Sequence, residues 1–551
     1  MLASLLLACA TDPAPADTSA NDSATDTADT ADSGDTADTG SAPSICDQLA
    51  LPVRAWDPAG TEGAFDGLAP DLTLTQLDGS VWTLSDAWTG CEAVIFVVLR
   101  PDSAYPDLDN KILVREWMEG APANVHWVFF SDEAGKSKRE AALVALQEDI
   151  EGIADADAAT LAQWQAHTHY VPDVWGGTDT WLDTVVDSYG SGGLPLNLGI
   201  DRFQTIRELG YLSDPVTGWE STPPAFLNYE AQYYNAQATL QDRLDVDGAT
   251  VLHPFENTAE RAAVVDFGAA AAVATYDTME LDLSFICNGH PDSEGCGEWD
   301  YLAYVYLCDV DDPETTEVDE SGTCTEIGRF ITAYARPGRW VVDATPFLAM
   351  LQDGGERTIR VDSANAPYIT LDLRLSNQGK GVRPVQMDYL WAGGSFNQDY
   401  NTGREPISFT PPEGTTQINV WTLITGHGYG QDKANCAEFC NHQHEFTVNG
   451  TESWVQEFSM AGTNYGCGDQ VDSGTVPNQY GTWVLGRGGW CPGRQVDPWS
   501  ADITGAVNLG GENTLEYRGL YEGDTYVPEP YNSGSGFGAG IVANTWVVYY
   551  R

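Results

Sequence analysis

Eleven cysteines constrain this chain more than any other feature. Eight fall into pairs close in sequence: Cys287 with Cys296, Cys308 with Cys324, Cys436 with Cys440 and Cys467 with Cys491. Cys46 and Cys91 make a fifth pair, and Cys9 is left over. Close pairs set between β-like segments predict disulfides and an oxidising compartment. Zinc is the rival, because thiolates at short spacing also bind metal. The sequence has no Cys-x-x-Cys, and Cys436 to Cys440 is only one half-site, so disulfides are preferred.

The unpaired Cys9 has its own context. Leu6-Leu7-Ala8-Cys9 resembles a bacterial lipobox, in which the cysteine is lipidated; residues 1–9 are therefore expected to be a lipoprotein signal. The apolar run is shorter than the roughly 20 residues that span a bilayer. It lacks a basic leading segment, so the true translation start is expected upstream of Met1. Residues 10–44 are almost wholly Asp, Thr, Ala, Ser, Gly and Pro. Such a segment cannot bury enough apolar surface to fold and is expected to tether anchor to body. This predicts a cell-envelope or extracellular protein, anchored through Cys9 or secreted, that meets the membrane only through lipid. The formal net charge of −57, from 82 acidic and 25 basic residues, excludes nucleic acid as a partner.

Residues 45–222 read as one α/β domain. Residues 69–84 predict a hairpin turning at Asp78-Gly79. Residues 93–99 and 125–130 are buried strands, and 136–150 carries apolar residues at helical spacing. This order resembles the thioredoxin-like family, which implies a cis Leu194–Pro195 bond. Where redox members place a cysteine after the first buried strand, this chain reads Arg100-Pro-Asp-Ser-Ala-Tyr105. Without a thiolate there is no thiol–disulfide exchange, so the domain is expected to be a redox-silent spacer or binding module.

From about Pro223 helices nearly vanish and strands alternate with Gly- and Pro-rich turns, as antiparallel sandwiches require. Residues 223–551 are long for one sandwich. A polar, Gly-rich stretch at 376–383 predicts a first sandwich over 223–378 and a second over 379–551.

Three short segments in this region could carry chemistry. Glu298-Trp299-Asp300 follows the Cys287–Cys296 loop and leads into a strand. Glu438 sits inside the small ring that Cys436 and Cys440 would close. Arg487 and Trp490 lie on a Gly-rich loop pinned by Cys491. Stapled loops that fix carboxylates beside aromatics and a cation suit carbohydrate or amide chemistry.

In order and separation, four motifs from about Tyr229 onward resemble the peptide-N-glycosidase F family. They are Cys296-Gly-Glu-Trp-Asp300, Glu326-Ile-Gly-Arg-Phe-Ile-Thr332, Cys436-Ala-Glu-Phe-Cys440 and Gly489-Trp-Cys-Pro-Gly493. The resemblance implies two eight-stranded antiparallel jelly-roll sandwiches with a site at their interface. With the preceding domain, the fold class is an α/β thioredoxin-like domain followed by two jelly-roll sandwiches. The resemblance further implies hydrolysis of the amide between Asn and the first GlcNAc of an N-glycoprotein, without a cofactor, by a monomer. Asp300, Glu438, Asp362 and Arg487 are the implied catalytic residues. Asp300 would activate water, Glu438 and Asp362 would position water and sugar, and Arg487 would stabilise developing charge. Glu298, Trp299, Tyr301, His427 and Trp490 are the candidates for substrate contact.

The chain departs from the family at several of these positions. Tyr301 replaces an arginine, Asp362 a glutamate and Ala364 a tryptophan, and Gly426-His427-Gly428-Tyr429 replaces Gly-Trp-Gly-His. The departures imply an altered glycan preference or, as the alternative, a catalytically silent glycan- or protein-binding module. A lesser rival is a metal site of the related copper monooxygenases, with His442 and His444 on one strand face and His427 nearby. The eight histidines supply a two-copper enzyme poorly, and no metal is assigned.

Overall fold

A computed structural model describes residues 44–99, 111–188, 197–210, 226–309, 324–364, 368–531 and 535–551. Cys9, the Asp/Thr-rich segment up to residue 43, Arg100–Tyr105 and the Leu194–Pro195 bond lie outside the described residues.

The N-terminal sheet has five strands in the order Thr168–Tyr170, Val125–Ser131, Ala93–Leu99, Asn197–Ile200 and Ile206–Glu208. The first three run parallel and the last two join antiparallel. All seven residues of Ala93–Leu99 are buried. Ala93, Ile95, Val97 and Leu99 enter one core with Trp117 and Trp127; Val94, Phe96 and Val98 enter the other with Trp82 and Trp175. A strand buried on both faces needs no polar alternation, which is why this run is uninterrupted. The hairpin pairs Thr73–Thr75 with Val81–Thr83 around Asp78 and Gly79, and helix Lys136–Glu151 follows the second strand.

The region after Pro223 differs from the expectation in one respect. It opens with a 21-residue helix, Phe226–Val246, and the first strand starts only at Thr250. Leu227, Ala231 and Tyr234 pack on the N-terminal core. Phe226 packs with Tyr334, Val471, Trp483 and Val484 of the sandwich half, and Tyr229 lies against the same cluster. A helix covered on two sides has no single apolar stripe, so the usual amphipathic signal is diluted among its tyrosines and glutamines.

The rest is β-structure. The first sandwich joins a four-stranded sheet (Gly338–Asp343, Thr278–Ile286, Tyr368–Ser376, Thr250–Thr258) to a five-stranded one. The latter runs Arg494–Gln495, Cys324–Ile331, Leu302–Cys308, Gly354–Ser363, Ala262–Ala269. The second joins Pro384–Ser395, Phe537–Tyr550, Gln417–Tyr429, Trp499–Asp502 to Ile407–Phe409, Asn513–Tyr521, His442–Val448, Glu452–Glu457. Among the described residues, each half of the chain thus gives eight strands to its own sandwich, and Arg494–Gln495 crosses to the other. The sheets change between Ser376 and Pro384. The two sandwiches share a core: Trp421, Trp490, Trp546 and Val548 pack among the first sandwich's Phe330, Trp340 and Phe347. Five disulfides join Cys46–Cys91, Cys287–Cys296, Cys308–Cys324, Cys436–Cys440 and Cys467–Cys491.

Candidate active site

Three loops converge where the sandwiches meet. The first carries Asp300. Its Cys287–Cys296 ring is tightened by Asn288 N–H donating to the Gly295 carbonyl at 2.9 Å and Cys296 N–H to Asp292 at 2.8 Å. Thr332 then fixes the strand start. Its hydroxyl donates to the Trp299 carbonyl at 2.8 Å and accepts from Tyr301 N–H at 2.8 Å. The second loop is the Cys436–Cys440 ring, and the third contains Arg487. Ala437 and Arg487 approach through glycine: a Cβ on Gly488 would lie 2.3 Å from the Ala437 carbonyl oxygen, and one on Gly426 2.5 Å from it. No larger residue fits between them without displacing backbone. Gly488 N–H also donates to the Glu438 carbonyl at 2.7 Å, which locks the second and third loops together.

Asp300, Glu438 and Arg487 line one cavity of about 830 Å³. Arg487 is buried and its Nε lies 3.2 Å from Glu438 Oε1. Its other nitrogens donate to Leu485 O at 2.8 Å and to Thr482 O and Oγ1 at 3.2 and 3.0 Å. The guanidinium lies over Phe439 at 4.6 Å and Trp490 at 5.3 Å. Glu438 Oε2 accepts from Gly428 N–H at 3.1 Å. Burial pushes the Glu438 carboxyl above its ordinary value; Arg487 and Gly428 oppose this and Asp300 adds to it. Asp300 is likewise raised by burial, against the pull of Arg487 and a hydrogen bond from the Tyr334 hydroxyl. Two raised carboxyls beside one cation can divide between base and acid.

The remaining candidates separate. Trp299, Tyr301, His427 and Trp490 line the cavity. Trp299 is 57% exposed and Tyr301 46%, whereas Trp490 is buried, donates to the Gly426 carbonyl at 2.7 Å and stacks on His427 at 5.2 Å. Glu298 and Asp362 are exposed and outside the cavity lining. Asp362 sits on Gly354–Ser363 opposite Tyr304, one strand from the strand that Asp300 precedes. His442 and His444 do share a strand face, turned inward. His442 Nδ1 meets His444 Nε2 at 2.8 Å and His444 Nδ1 meets the Tyr517 hydroxyl at 2.7 Å. His427 Nε2 instead meets the Thr425 hydroxyl at 2.8 Å. His442 and His444 thus bond each other, whereas His427 engages Thr425.

The description "Peptide-N-glycosidase F, C terminal" belongs to the family model that matches residues 395–547. The peptide-N(4)-(N-acetyl-beta-D-glucosaminyl)asparagine amidase F of Elizabethkingia miricola is 27% identical over 292 residues, 49% of this chain and 75% of that protein. The C-terminal region is peptide-N-glycosidase F-like. A solved structure of a peptide-N(4)-(N-acetyl-beta-D-glucosaminyl) asparagine amidase aligns at 20% identity and TM-score 0.43, over 55% of this chain and 96% of that one. A structure of PNGF-II aligns at 14% identity and TM-score 0.39, over 56% and 66%.

Within the peptide-N-glycosidase F-like region, sequence reasoning missed Tyr334, Phe439 and the Gly428 N–H. Tyr334 lies just beyond the strand Cys324–Ile331 and is far from Asp300 in sequence, so no spacing betrays their hydrogen bond. Phe439 lies inside a singled-out motif and reads as filler until Arg487 is seen over its ring. Backbone donors such as Gly428 leave no side-chain signal.

Proposed function

We propose that this protein is an amidase that hydrolyses the bond between an asparagine side chain and the first GlcNAc of an N-glycoprotein, leaving aspartate. One observation carries the reading: Asp300, Glu438 and Arg487 face one cavity between the sandwiches, rimmed by exposed Trp299, Tyr301, Tyr429 and Phe537. The amidase F of Elizabethkingia miricola, similar over this region, supports the same chemistry. Aromatic faces suit sugar rings. Asp300, ionised, takes a proton from water as the oxygen adds to the amide carbon. Glu438 orients the water or sugar from its Gly428 hydrogen bond. Arg487 acts by its field, since its terminal N–H groups already serve Thr482 and Leu485 and its Nε is ion-paired with Glu438. The proton that Asp300 took from water passes to the amide nitrogen as its bond to the carbonyl carbon breaks, and the nitrogen leaves as a glycosylamine. Asp362, on the neighbouring strand, is assigned contact with outer parts of the substrate.

The five disulfides support an exported protein, and Cys9 supports a lipid anchor. The parallel and antiparallel strand order of the N-terminal sheet supports a thioredoxin-like scaffold over residues 45–222, without redox cysteines. A silent glycan-binding module on the same sandwiches is the second reading, favoured by the exposed rim aromatics and by Tyr301 next to Asp300.

The test incubates residues 44–551 with a denatured glycoprotein. Free glycan with an Asn-to-Asp mass change supports the amidase, and Asp300→Asn is expected to lower the rate by about 10²–10⁴. Glycan binding without release supports the silent module. Full activity of Asp300→Asn refutes the assignment of Asp300.

A further inference from the structure

The loop that delivers Asp300 is fastened to the N-terminal domain. His290, inside the Cys287–Cys296 ring, points away from the cavity. Its Nδ1 bonds Glu208 and its Nε2 meets Asp66 Oδ2 at 3.1 Å, both residues of the N-terminal domain. Its ring lies on Phe65, 4.9 Å between centroids. Asp292 N–H donates to Glu208 Oε2 at 3.1 Å. Three carboxylates therefore face the imidazole, since Asp292 Oδ1 is 3.6 Å from Nδ1. Arg207 stands behind Asp66 at 2.5 Å, and Arg336 behind Asp292 at 3.6 Å. Hydrogen bonds to Asp66 and Glu208 push the imidazole up to about 10, so it is a cation at neutral pH.

A second route leads from the same contact to Asp300. Arg336 donates to the Glu208 carbonyl at 2.9 Å, to Pro477 O at 2.7 Å and to Glu230 of the Phe226–Val246 helix at 2.6 Å. Its neighbour Ala335 donates to the Gly297 carbonyl at 2.8 Å, and Tyr334 hydrogen-bonds Asp300 itself. Glu208 thus holds both ends of the frame around Asp300: the stapled loop through His290 and Asp292, and the Tyr334 segment through Arg336.

We propose that the N-terminal domain is a positioning element for the Asp300 site, and that His290 is the positioning residue through which Glu208 and Asp66 hold the Asp300 loop in register with Glu438 and Arg487. This rests on the amidase reading for its effect on rate, and on geometry alone for its effect on the loop. Removing the imidazole takes from Glu208 its nearest cation and leaves Asp66 to Arg207 alone, so the two domains lose the cation that joins them and the Glu208 and Asp292 carboxylates repel across the contact. A displacement of about 1 Å at a reacting group can cost as much as 10²-fold in rate.

The experiment compares full-length wild type with His290→Ala, Glu208→Gln and His290→Arg. His253→Ala serves as control; it breaks an outer-face pair with Asp372 of 2.7 Å. Amide exchange in residues 287–300 and kcat and KM on a denatured glycoprotein are measured together. Expected is about tenfold faster exchange in that segment for His290→Ala and Glu208→Gln. Their kcat should fall about tenfold or more, with KM little changed and with partial recovery in His290→Arg. Glu208→Gln keeps shape and volume, so it reports even if His290→Ala does not fold. Unchanged exchange, or faster exchange with unchanged kcat in an active enzyme, overturns the proposal. Faster exchange in a protein whose wild type releases no glycan upholds the clamp and defeats the amidase reading.

Discussion

Two arginine–glutamate pairs are buried in the same sandwich region, and their surroundings differ. Arg329 grips Glu326 with two parallel hydrogen bonds, Nε to Oε1 at 2.7 Å and Nη2 to Oε2 at 2.9 Å. Its third nitrogen crosses to the second sandwich, meeting Thr425 Oγ1 at 3.1 Å and the Val542 carbonyl at 2.7 Å, and Asn544 donates to Glu326. This pair is closed: charge and hydrogen bonds are satisfied by protein, as a buried pair needs. Arg487 and Glu438 touch through one Nε contact of 3.2 Å, and Glu438 and Asp300 face an open cavity. Identical residue types therefore serve two ends. The closed pair joins two sandwiches, whereas the open pair keeps unsaturated charge where a substrate can meet it.

The comparison is broken most directly at Arg329. Arg329→Met strands Glu326 in the interface, and removing one partner of a buried pair costs about 3–5 kcal/mol. A large fall in Tm is expected, with activity lost alongside the fold. Pairing it with Glu326→Leu should recover much of the Tm, because no lone charge remains. A thermal melt of both variants checks this; equal melting of the single variant and wild type would mean that the pair is not structural. Arg487→Met is expected to separate the two effects. Glu438 already sits above its ordinary value and borders the cavity, so it can take up a proton. Tm should fall less than in Arg329→Met while kcat falls by about 10²–10³.

Much of this contrast was legible before any coordinates. The motifs containing both arginines stood out, and the stapled rings around Asp300 and Glu438 announced fixed carboxylates. What could not be read was which pair is closed. That depends on Thr425, Val542 and Asn544, brought to the Arg329–Glu326 pair by strand register across 96 to 218 residues of sequence. Asp362 shows the converse. The family resemblance implied a site residue there, but strand alternation from Val361, which enters the core, turns it outward. The Phe226–Val246 helix was missed because two partners cover it. Its Leu227-Ala231-Tyr234 spacing is helical, yet the intervening tyrosines face a second surface.

Tyr334→Phe sharpens the open site. The hydroxyl bonds the charged form of Asp300 and so lowers a pKa that burial raises. Wild-type activity should fall on the acid side at a pH above the ordinary carboxylate range of about 4. Without the hydroxyl the carboxyl rises further, so the acid limb of kcat/KM should move to higher pH, with about tenfold lower kcat at neutrality. A limb that stays in place excludes Asp300 as the group that must be ionised.

The histidines offer a test in stability rather than rate. His126 meets His169 at 3.0 Å and stacks on His167 in the N-terminal domain. Burial drives His169 down to about 3 and His126 well below its ordinary value. Folded values below unfolded ones mean stability that is complete above about pH 6.5 and lost as pH falls toward 3. His290 is opposite in sign: raised to about 10, it stabilises fully below about 6.5 and loses that contribution as pH rises through 10. Acid should therefore open the N-terminal core, read by its tryptophan fluorescence, while alkali should loosen the Asp300 loop, read by amide exchange. The same pH direction for both refutes the assignment.

The smallest effect is expected at Trp299. Its indole is 57% exposed at the cavity rim, and what fixes the strand start is its backbone carbonyl, bound by Thr332. Trp299→Ala keeps that carbonyl and the Thr332 bond, so Asp300 should stay in place and Tm should hold. What is lost is an aromatic face for a sugar, worth about 1 kcal/mol. KM should rise several-fold, about 3–10 times, with kcat nearly constant, the signature of binding shared by ground and transition states. A fall in kcat with KM unchanged would place the indole in the positioning of Asp300 instead, and the open site would then depend on its rim as the closed pair depends on Thr425 and Asn544.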